Sequence, residues 1–305
     1  MSGKSWSGGY KGLSVILIPL GLGCHAANAA TESHSAEPAS DAVPAAAVSS
    51  RWGRLFAGNK ETFSSALSFS SGLKDQWLTI PNGSESAERK KTINQLLNLS
   101  LQYSPFSFWF ANITLRAPVA DFSKYSADFR YSFGYDDWHP NTFSLVYSNY
   151  GDNRIFPSGN ARYTYFEQGA LTFAYKFSLP KALEQHLLIN KGDALTCQLG
   201  YSWVPRYYSL ADNDLRANKQ VALGGCGYTY RQHFFVRATA FWYPQSEQQQ
   251  PWNGDYSYSF GYADYSPGSF SIQYSNYSGT RFPGRSNGNA KFREGTVSLI
   301  WLLPF

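Results

Sequence analysis

The sequence predicts an all-β fold, a transmembrane antiparallel β-barrel of about twelve strands built from two six-stranded repeats. Three observations predict this fold class. Large apolar residues alternate with small or polar ones over many short segments, the linkers between these segments are alternately short and long, and the composition is aromatic and poorly charged. Together they describe strands with one apolar and one polar face, arranged in a closed sheet.

The composition separates this chain from helical membrane proteins. Aromatic residues make up 17% of the chain and charged residues only 15%, below the usual quarter. Mean hydropathy is nevertheless negative, and beyond the N-terminal segment no apolar run reaches the roughly eighteen residues of a transmembrane helix. A barrel fits better, because its strands need apolar side chains only at every second position.

The N-terminal segment, 1–29, has the features of a secretory signal peptide. Its apolar stretch, 13–23, is too short to span a bilayer, and small residues precede Ala30. Simple cleavage after position 29 is one interpretation, and a lipoprotein cleaved before Cys24 is the other. Residues 30–60 are predicted to be a flexible periplasmic lead-in, because the first part is rich in Ala, Ser and Pro and has no aromatic residue.

The segment YSADFRYSFGY, 125–135, shows the alternation most completely. Its odd positions carry Tyr, Ala or Phe, and its even positions carry Ser, Asp, Arg or Gly. A period of two is that of a strand with two different faces, and each similar segment is near or above the length that crosses a bilayer at a tilt. The candidate strands are 62–80, 92–103, 106–117, 125–135, 142–150, 169–179, 194–210, 220–231, 233–243, 256–262, 269–277 and 295–305.

The linkers between the candidate strands alternate in length. With a periplasmic N-terminus, every second linker is a short turn, as at 104–105, 136–141, 231–232 and 265–268, and 180–193 is the exception. Short periplasmic turns and long outer loops are typical of outer-membrane barrels. An even number of strands also returns the C-terminus to the periplasm.

An internal duplication runs through the barrel segment. YSFGY occurs at 131–135 and 258–262, and YSNY at 147–150 and 274–277, each pair 127 residues apart. An Arg, an aromatic residue and a Pro follow both copies of YSNY. The predicted boundaries are 61–180 for repeat one and 190–305 for repeat two, within a barrel domain at 61–305.

The last nine residues, VSLIWLLPF, alternate large apolar side chains and end on Phe. With Trp301, Leu303 and Phe305 on one parity, this ending resembles the C-terminal signal of bacterial outer-membrane proteins. The resemblance is to that class and points to no particular family within it. It implies a location in the outer membrane of a Gram-negative cell, and the barrel-assembly machinery as a partner of the last strand.

The polar parity of the strands supplies the candidate site. The predicted pore-lining or solute-binding residues are Arg116, Arg130, Lys176, Arg237, Asp128, Asp255, Phe108, Phe110 and Phe235. In one interpretation, the excess of basic groups attracts anionic solutes and the aromatic rings stack on sugar faces. In the other, the charges pair across the interior and close it.

Basic residues also mark the third and sixth outer loops. These outer-loop residues are Arg154, Arg162, Arg281 and Arg285. They either attract anionic solutes to the opening or hold the phosphates of lipopolysaccharide at the cell surface.

Cys197 and Cys226 fall on the outward parity of two neighbouring candidate strands. A hairpin centred near 210–213 places them opposite one another or nearly so. The oxidising periplasm permits a disulfide, and two inert outward-facing thiols are the alternative. The spacing of the cysteines matches no metal site, and nothing in the sequence indicates a cofactor.

A hydrolase is the enzymatic alternative. The Ser–Asn pairs that begin at Ser148 and Ser275 faintly resemble that of outer-membrane phospholipase A. That chemistry needs a base beside the serine, whereas His139, His186 and His233 are predicted in or beside periplasmic turns at the opposite end. The sequence therefore favours a protein that is not an enzyme.

The functional prediction is an outer-membrane channel that passes or exports a polar or anionic solute, with saccharides favoured. A rim hydrolase of surface lipid and a closed structural barrel are the alternatives. The predicted partners are outer-membrane lipid, lipopolysaccharide and components of polysaccharide synthesis or export, and no nucleic-acid surface is expected.

Overall fold

The computed structural model is a closed antiparallel barrel of twelve strands, which confirms the predicted fold class. Every strand pairs with its neighbours in sequence, and β1 pairs with β12 to close the sheet. The structure describes residues 62–80, 88–106, 108–119, 128–150, 153–155, 165–190, 192–209, 211–212, 214–277, 280–285 and 291–304. The predicted signal peptide and lead-in, Arg162 and Phe305 lie outside these ranges.

The strands agree closely with the segments of alternating sequence. They are β1 Thr62–Ile80, β2 Glu88–Ser104, β3 Trp109–Pro118, β4 Phe129–Asp136, β5 Thr142–Asn149, β6 Ala170–Phe177, β7 Ala194–Ser209, β8 Asp214–Tyr230, β9 Phe234–Trp242, β10 Tyr256–Tyr262, β11 Phe270–Asn276 and β12 Thr296–Leu302. The exceptional linker after β6 contains a short helix, α1 Lys181–Leu187, whose Ala, Leu, Glu and Gln residues favour helix. Among the described ranges, no helix is both long enough and apolar enough to cross a membrane.

The two ends of the barrel differ. The turn end carries the connections after the even-numbered strands, and the loop end carries those after the odd-numbered strands. At the loop end β1 pairs with β12 only as far as Gly72, yet its pairing with β2 continues to Ile80 and Glu88. β7 and β8 likewise continue to Ser209 and Asp214 beyond their other partners. Two hairpins therefore project from the loop end as two-stranded ribbons.

The outward faces expose a band of large apolar side chains around the barrel. Soluble proteins rarely expose contiguous apolar surface of this extent. Cross-strand pairs such as Leu145 with Phe173 and Ile272 with Leu299 lie side by side within it. The exposed set includes Phe69, Leu97, Ile113, Phe133, Leu145, Phe173, Leu199, Val236, Phe260, Ile272 and Leu299.

The inward faces change in exposure along the barrel. Near the turn end the buried inward side chains are Ala66, Gln102, Phe110, Asp136, Lys176, Phe235, Ser271 and Leu302. In the middle, inward side chains remain partly exposed, among them Ser68, Ser70, Asn98, Thr114, Thr172, Ser259 and Gln273. The buried turn-end side chains form a layer that narrows the interior there, although Ser202 and Thr239 of the middle are also buried.

Candidate functional site in the barrel interior

Neutral polar side chains line the middle of the barrel and bond from strand to strand. The Ser70 and Ser298 hydroxyls lie 2.9 Å apart across the β1–β12 seam. On β2, Asn98 Nδ2 donates to Ser68 Oγ at 3.2 Å. These neutral groups bond to one another along the wall and give it a hydrophilic inner surface.

Arg116 and Arg130 form a positively charged pair on the inner wall. Arg130 on β4 pairs with Thr114 of β3, and the Arg116 amide donates to the Asp128 carbonyl at 2.8 Å. The two arginines are thus diagonal neighbours on adjacent strands, close enough for their charges to repel. Neither makes an ion pair with any described residue, and Arg130 Nε is buried without a hydrogen-bond partner.

Tyr150 borders this pair at the loop end of β5. The centre of its ring lies 5.8 Å from Arg130 Cζ, and the hydroxyls of Ser132 and Ser148 lie near its own. Ser132 and Ser148 are themselves cross-strand partners. The inward parity of Ser148 already implied an inward Tyr150, a signal that the sequence analysis did not use.

Asp128 does not neutralise the arginine pair. Its Oδ1 accepts from Arg154 Nη1 at 3.3 Å, and its Oδ2 accepts from the Ile155 amide at 3.0 Å. The predicted pore-lining carboxylate and one predicted outer-loop arginine therefore bind each other, at the loop end and away from Arg116 and Arg130.

Lys176 is neutralised locally. Its ammonium donates to the Asp136 carboxylate and, at 3.0 Å, to the Asp137 carbonyl. Lys176 and Asp136 are both buried. This pair belongs to the narrow turn-end layer, where it contributes an ion pair across β4, β5 and β6 rather than a free positive charge.

Arg237 is the third inward arginine without an ion pair among the described residues. It lies on β9 opposite Gly227, where a Cβ would stand 3.2 Å from Arg237 Cγ. Its guanidinium lies over the Phe235 ring, with Cζ 4.7 Å from the ring centre. A glycine on the neighbouring strand therefore makes room for the long side chain.

The predicted aromatic residues lie near the turn end. Phe108 packs edge-on against Tyr135 and His139, at centroid distances of 6.2 and 5.4 Å. Phe110 and Phe235 are buried. These three rings therefore contact protein at the narrow end, and they do not line the partly exposed middle.

Asp255 organises the loop end of the second half. It is 1% exposed and accepts from Gln249 Nε2 at 2.6 Å, Arg285 Nη1 at 2.7 Å and the Phe282 amide at 2.9 Å. Burial alone would raise the pKa of Asp255, but these hydrogen bonds and the charges of Arg285 and Arg281 outweigh it and lower that pKa. The side chain thus acts as a carboxylate anchor.

Arg281 also serves the loop that precedes Asp255. Its Nη1 donates to the Asn253 carbonyl, and its Nη2 donates to the Pro251 carbonyl at 3.2 Å. Of the predicted outer-loop arginines that the structure describes, each therefore makes internal hydrogen bonds.

A buried cluster fills the loop end beside this loop. It comprises Val221, Leu223, Phe241, Tyr243 and Tyr277. Lys219 lies beneath the loop, where its Nζ donates to Asn253 Oδ1 at 2.5 Å and lies 5.6 Å from the centres of the Tyr207 and Tyr243 rings. Sequence analysis missed Lys219, because the segment before position 220 was interpreted as a linker.

Equivalent contacts recur 127 residues apart. Asp128 Oδ2 accepts from the Ile155 amide at 3.0 Å, and Asp255 Oδ2 accepts from the Phe282 amide at 2.9 Å. The first of these contacts lies after β3 and the second after β9, at the same end of the barrel.

The tyrosines of the two YSNY motifs make a second matched set of contacts. Tyr147 and Tyr274 each donate to a carbonyl of a short 3-10 helix, that of Phe166 or of Phe292. Each also stacks on that same phenylalanine, with centroid distances of 4.2 and 4.3 Å.

The serine and histidine residues of the hydrolase alternative lie at different ends. Ser148 and Ser275 are on the loop-end halves of β5 and β11, whereas His139, His186 and His233 are in turn-end connections. Their positions match the expected topology.

Cys197 and Cys226 are direct cross-strand partners on β7 and β8. Their sulfur atoms are bonded at 2.09 Å, so the structure contains the disulfide that the hairpin register allows. Within the described ranges, no group of three or more His, Cys, Asp or Glu side chains is arranged to hold a metal ion.

No protein-family model matches the chain, and no curated protein is significantly similar to it.

Proposed function

We propose that this protein is an outer-membrane channel for small polar solutes that prefers anions. The exposed apolar band supports a membrane environment, because a closed barrel satisfies its backbone hydrogen bonds internally and needs apolar surroundings for such an exterior. The signal-like N-terminal segment and the alternating C-terminal strand support the outer membrane as that environment.

One observation carries the proposed anion preference. Arg116, Arg130 and Arg237 face the interior without an ion pair among the described residues, while Lys176, Asp128 and Asp255 are paired or anchored. Inward basic groups lower the energy of an anion in a pore and raise that of a cation. The interior therefore favours solutes that carry a negative charge.

A saccharide remains the favoured solute class in this proposal, provided that it bears an acidic group. The predicted aromatic rings lie at the narrow turn end. Recognition in the middle would therefore depend on arginines and neutral hydroxyl and amide groups, which bind carboxylates and sugar hydroxyls alike. Export of a polysaccharide made by other components is a variant of the same proposal.

The proposal also covers the predicted partners and the question of enzymatic activity. Lipopolysaccharide, the assembly machinery and polysaccharide-export components stay predicted partners. We further propose that the protein is not an enzyme, since Ser148 and Ser275 lie at the end opposite the three described histidines. Hydrolysis of phospholipid or lipid A by the wild type that is lost in Ser148→Ala or Ser275→Ala would contradict this part.

Single-channel recording of the refolded barrel in a planar bilayer tests the channel, with ion selectivity taken from reversal potentials. The expected result is open steps with anion selectivity that Arg237→Gln weakens. Arg206→Gln is the matched control, because it removes one positive charge from an exposed ion pair with Glu167. A folded barrel that never conducts would overturn the proposal in favour of the closed structural barrel.

A further inference from the structure

We infer that Arg116, Arg130 and Tyr150 form a binding site for an oxyanion group, a carboxylate or a phosphate, on the inner wall of the first half. This inference deepens the proposed function, on which it rests, by naming the chemical group that the interior holds. It assigns the two arginines a binding role beyond the general attraction of anions.

The positive charge of the arginine pair is not compensated by any described carboxylate. Two guanidinium groups on adjacent strands repel one another, and within the described residues neither has a carboxylate partner. The Nε of Arg130 is a buried donor without an acceptor, an arrangement that native proteins seldom keep without a reason. An oxyanion with two or more acceptor oxygens would accept hydrogen bonds from both guanidinium groups and would offset the repulsion between them.

The hydroxyl groups beside the arginine pair can also bind an oxyanion. Tyr150 lies next to Arg130, and its hydroxyl is grouped with those of Ser132 and Ser148. Hydroxyl groups can donate to the further oxygens of a carboxylate or phosphate. Asp128 is directed to Arg154 and Ile155, so no described carboxylate competes for the site.

The two halves of the barrel differ at the positions of the arginine pair. Ser132, Ser148 and Tyr150 correspond to Ser259, Ser275 and Tyr277, 127 residues later. At the positions that correspond to Arg116 and Arg130, the second half has Tyr243 and Ser257. There, Tyr243 and Tyr277 belong to the buried apolar cluster. The second half closes its wall with no arginine at these two positions, so the barrel architecture does not require the pair.

The position of the pair fits a binding step. Arg130 lies on the loop-end half of β4, Tyr150 directly follows the loop end of β5, and the interior is narrower at the turn end. A solute that enters from the loop end would therefore meet this site before the narrow layer.

Binding to the folded barrel in detergent provides the test, with inorganic phosphate, acetate and chloride as the probes. Isothermal titration should detect phosphate or acetate, or both, at least tenfold more tightly than chloride. Arg116→Gln and Arg130→Gln should each weaken that binding at least tenfold. Arg206→Gln, which removes an exposed charge from the β7–β8 hairpin, should leave it unchanged.

The outcomes separate this inference from the channel proposal. Oxyanion binding that depends on Arg116 and Arg130 in a barrel that does not conduct would support the site and overturn the channel. Conduction without oxyanion binding, or binding that survives both substitutions, would overturn the site. Arg130→Lys provides a second readout if the glutamine variants misfold. It keeps the positive charge but loses the planar guanidinium that can donate two parallel hydrogen bonds. It should therefore weaken oxyanion binding while anion selectivity persists.

Discussion

At the residue scale, the interior neutralises some of its buried charges and leaves others without a partner. Lys176 and Asp255 are buried but bonded to partners, whereas Arg130 buries a donor that has none. A buried polar group without a partner loses its hydration and gains nothing in return. Such a cost is expected where a ligand supplies the missing acceptor.

Arg130→Met should stabilise the barrel when no anion is bound. Removing a buried unsatisfied donor and its charge should raise the free energy of unfolding by about 1–3 kcal/mol. Urea unfolding in low-phosphate buffer measures this, and added phosphate should stabilise the wild type but not the variant. A variant less stable than the wild type in both buffers would indicate a purely structural arginine.

Gly295→Ala should destabilise the barrel by overpacking. The Tyr274 hydroxyl would lie 2.2 Å from the new Cβ, and Tyr274 is held by Phe292 on one side. Displacing it should cost about 1–3 kcal/mol. Gly192→Ala is the control, since nothing lies within 4 Å of a Cβ there. Equal unfolding midpoints for the two variants would be inconsistent with the close packing.

At the element scale, the loop that links β9 to β10 is held as a folded unit. Lys219 of β8 and the two arginines after β11, Arg281 and Arg285, bind it, and Asp255 ends it. The first half repeats the carboxylate–amide bond, between Asp128 before β4 and Ile155 after β5.

Acidification should loosen the loop at 243–255. The pKa of Asp255 is lowered in the folded protein, so its stabilising effect is present above the unfolded value, about 4, and is lost as the pH falls through the folded value. Hydrogen exchange of this peptide should show protection that declines below about pH 4. The Asp255→Asn variant should lack this decline, and an unchanged pH profile in it would contradict the assignment.

The disulfide should stabilise the β7–β8 hairpin. Cys197 and Cys226 are 29 residues apart, and closing a loop of that size restricts the unfolded chain by about 3 kcal/mol. Cys197→Ser with Cys226→Ser should therefore lower the unfolding midpoint under non-reducing conditions. With reductant present, the midpoints of wild type and variant should converge, and a difference that persists would point to packing instead.

At the scale of the whole molecule, the barrel combines an apolar exterior with an interior that narrows toward the turn end. Phe110 and Phe235 are buried in the narrow layer, whereas Ser68 and Gln273 in the middle are partly exposed. If the barrel is the proposed channel, the narrow layer and the buried cluster at the loop end should limit the flow of a solute.

Widening the turn end should raise conductance. The double variant Phe110→Ala with Phe235→Ala removes two rings from the narrow layer, and its single-channel conductance should exceed that of the wild type. Phe143→Ala removes an outward ring and should leave conductance unchanged. If the two variants conduct alike, the constriction lies elsewhere.

The alternation in the sequence was enough to predict the strands and their two faces, and closure was predicted because an open strand edge is not tolerated in lipid. Segments such as 125–135 carry this information locally, because a period of two assigns each side chain to one face whatever the partner strand is. The same reasoning placed Cys197 and Cys226 on one face of a hairpin and the three histidines at the turn end.

Which of the inward charges lack a charged partner could be seen only in the tertiary structure. Asp128, Lys176 and Arg116 share an inward parity, yet the first two are bound to partners and the last is not. Pairing depends on register between strands and on loops such as 243–255 folding back, and neither is encoded in the alternation. Parity tells which way a side chain points, whereas neutralisation depends on distances of a few ångströms between residues far apart in sequence.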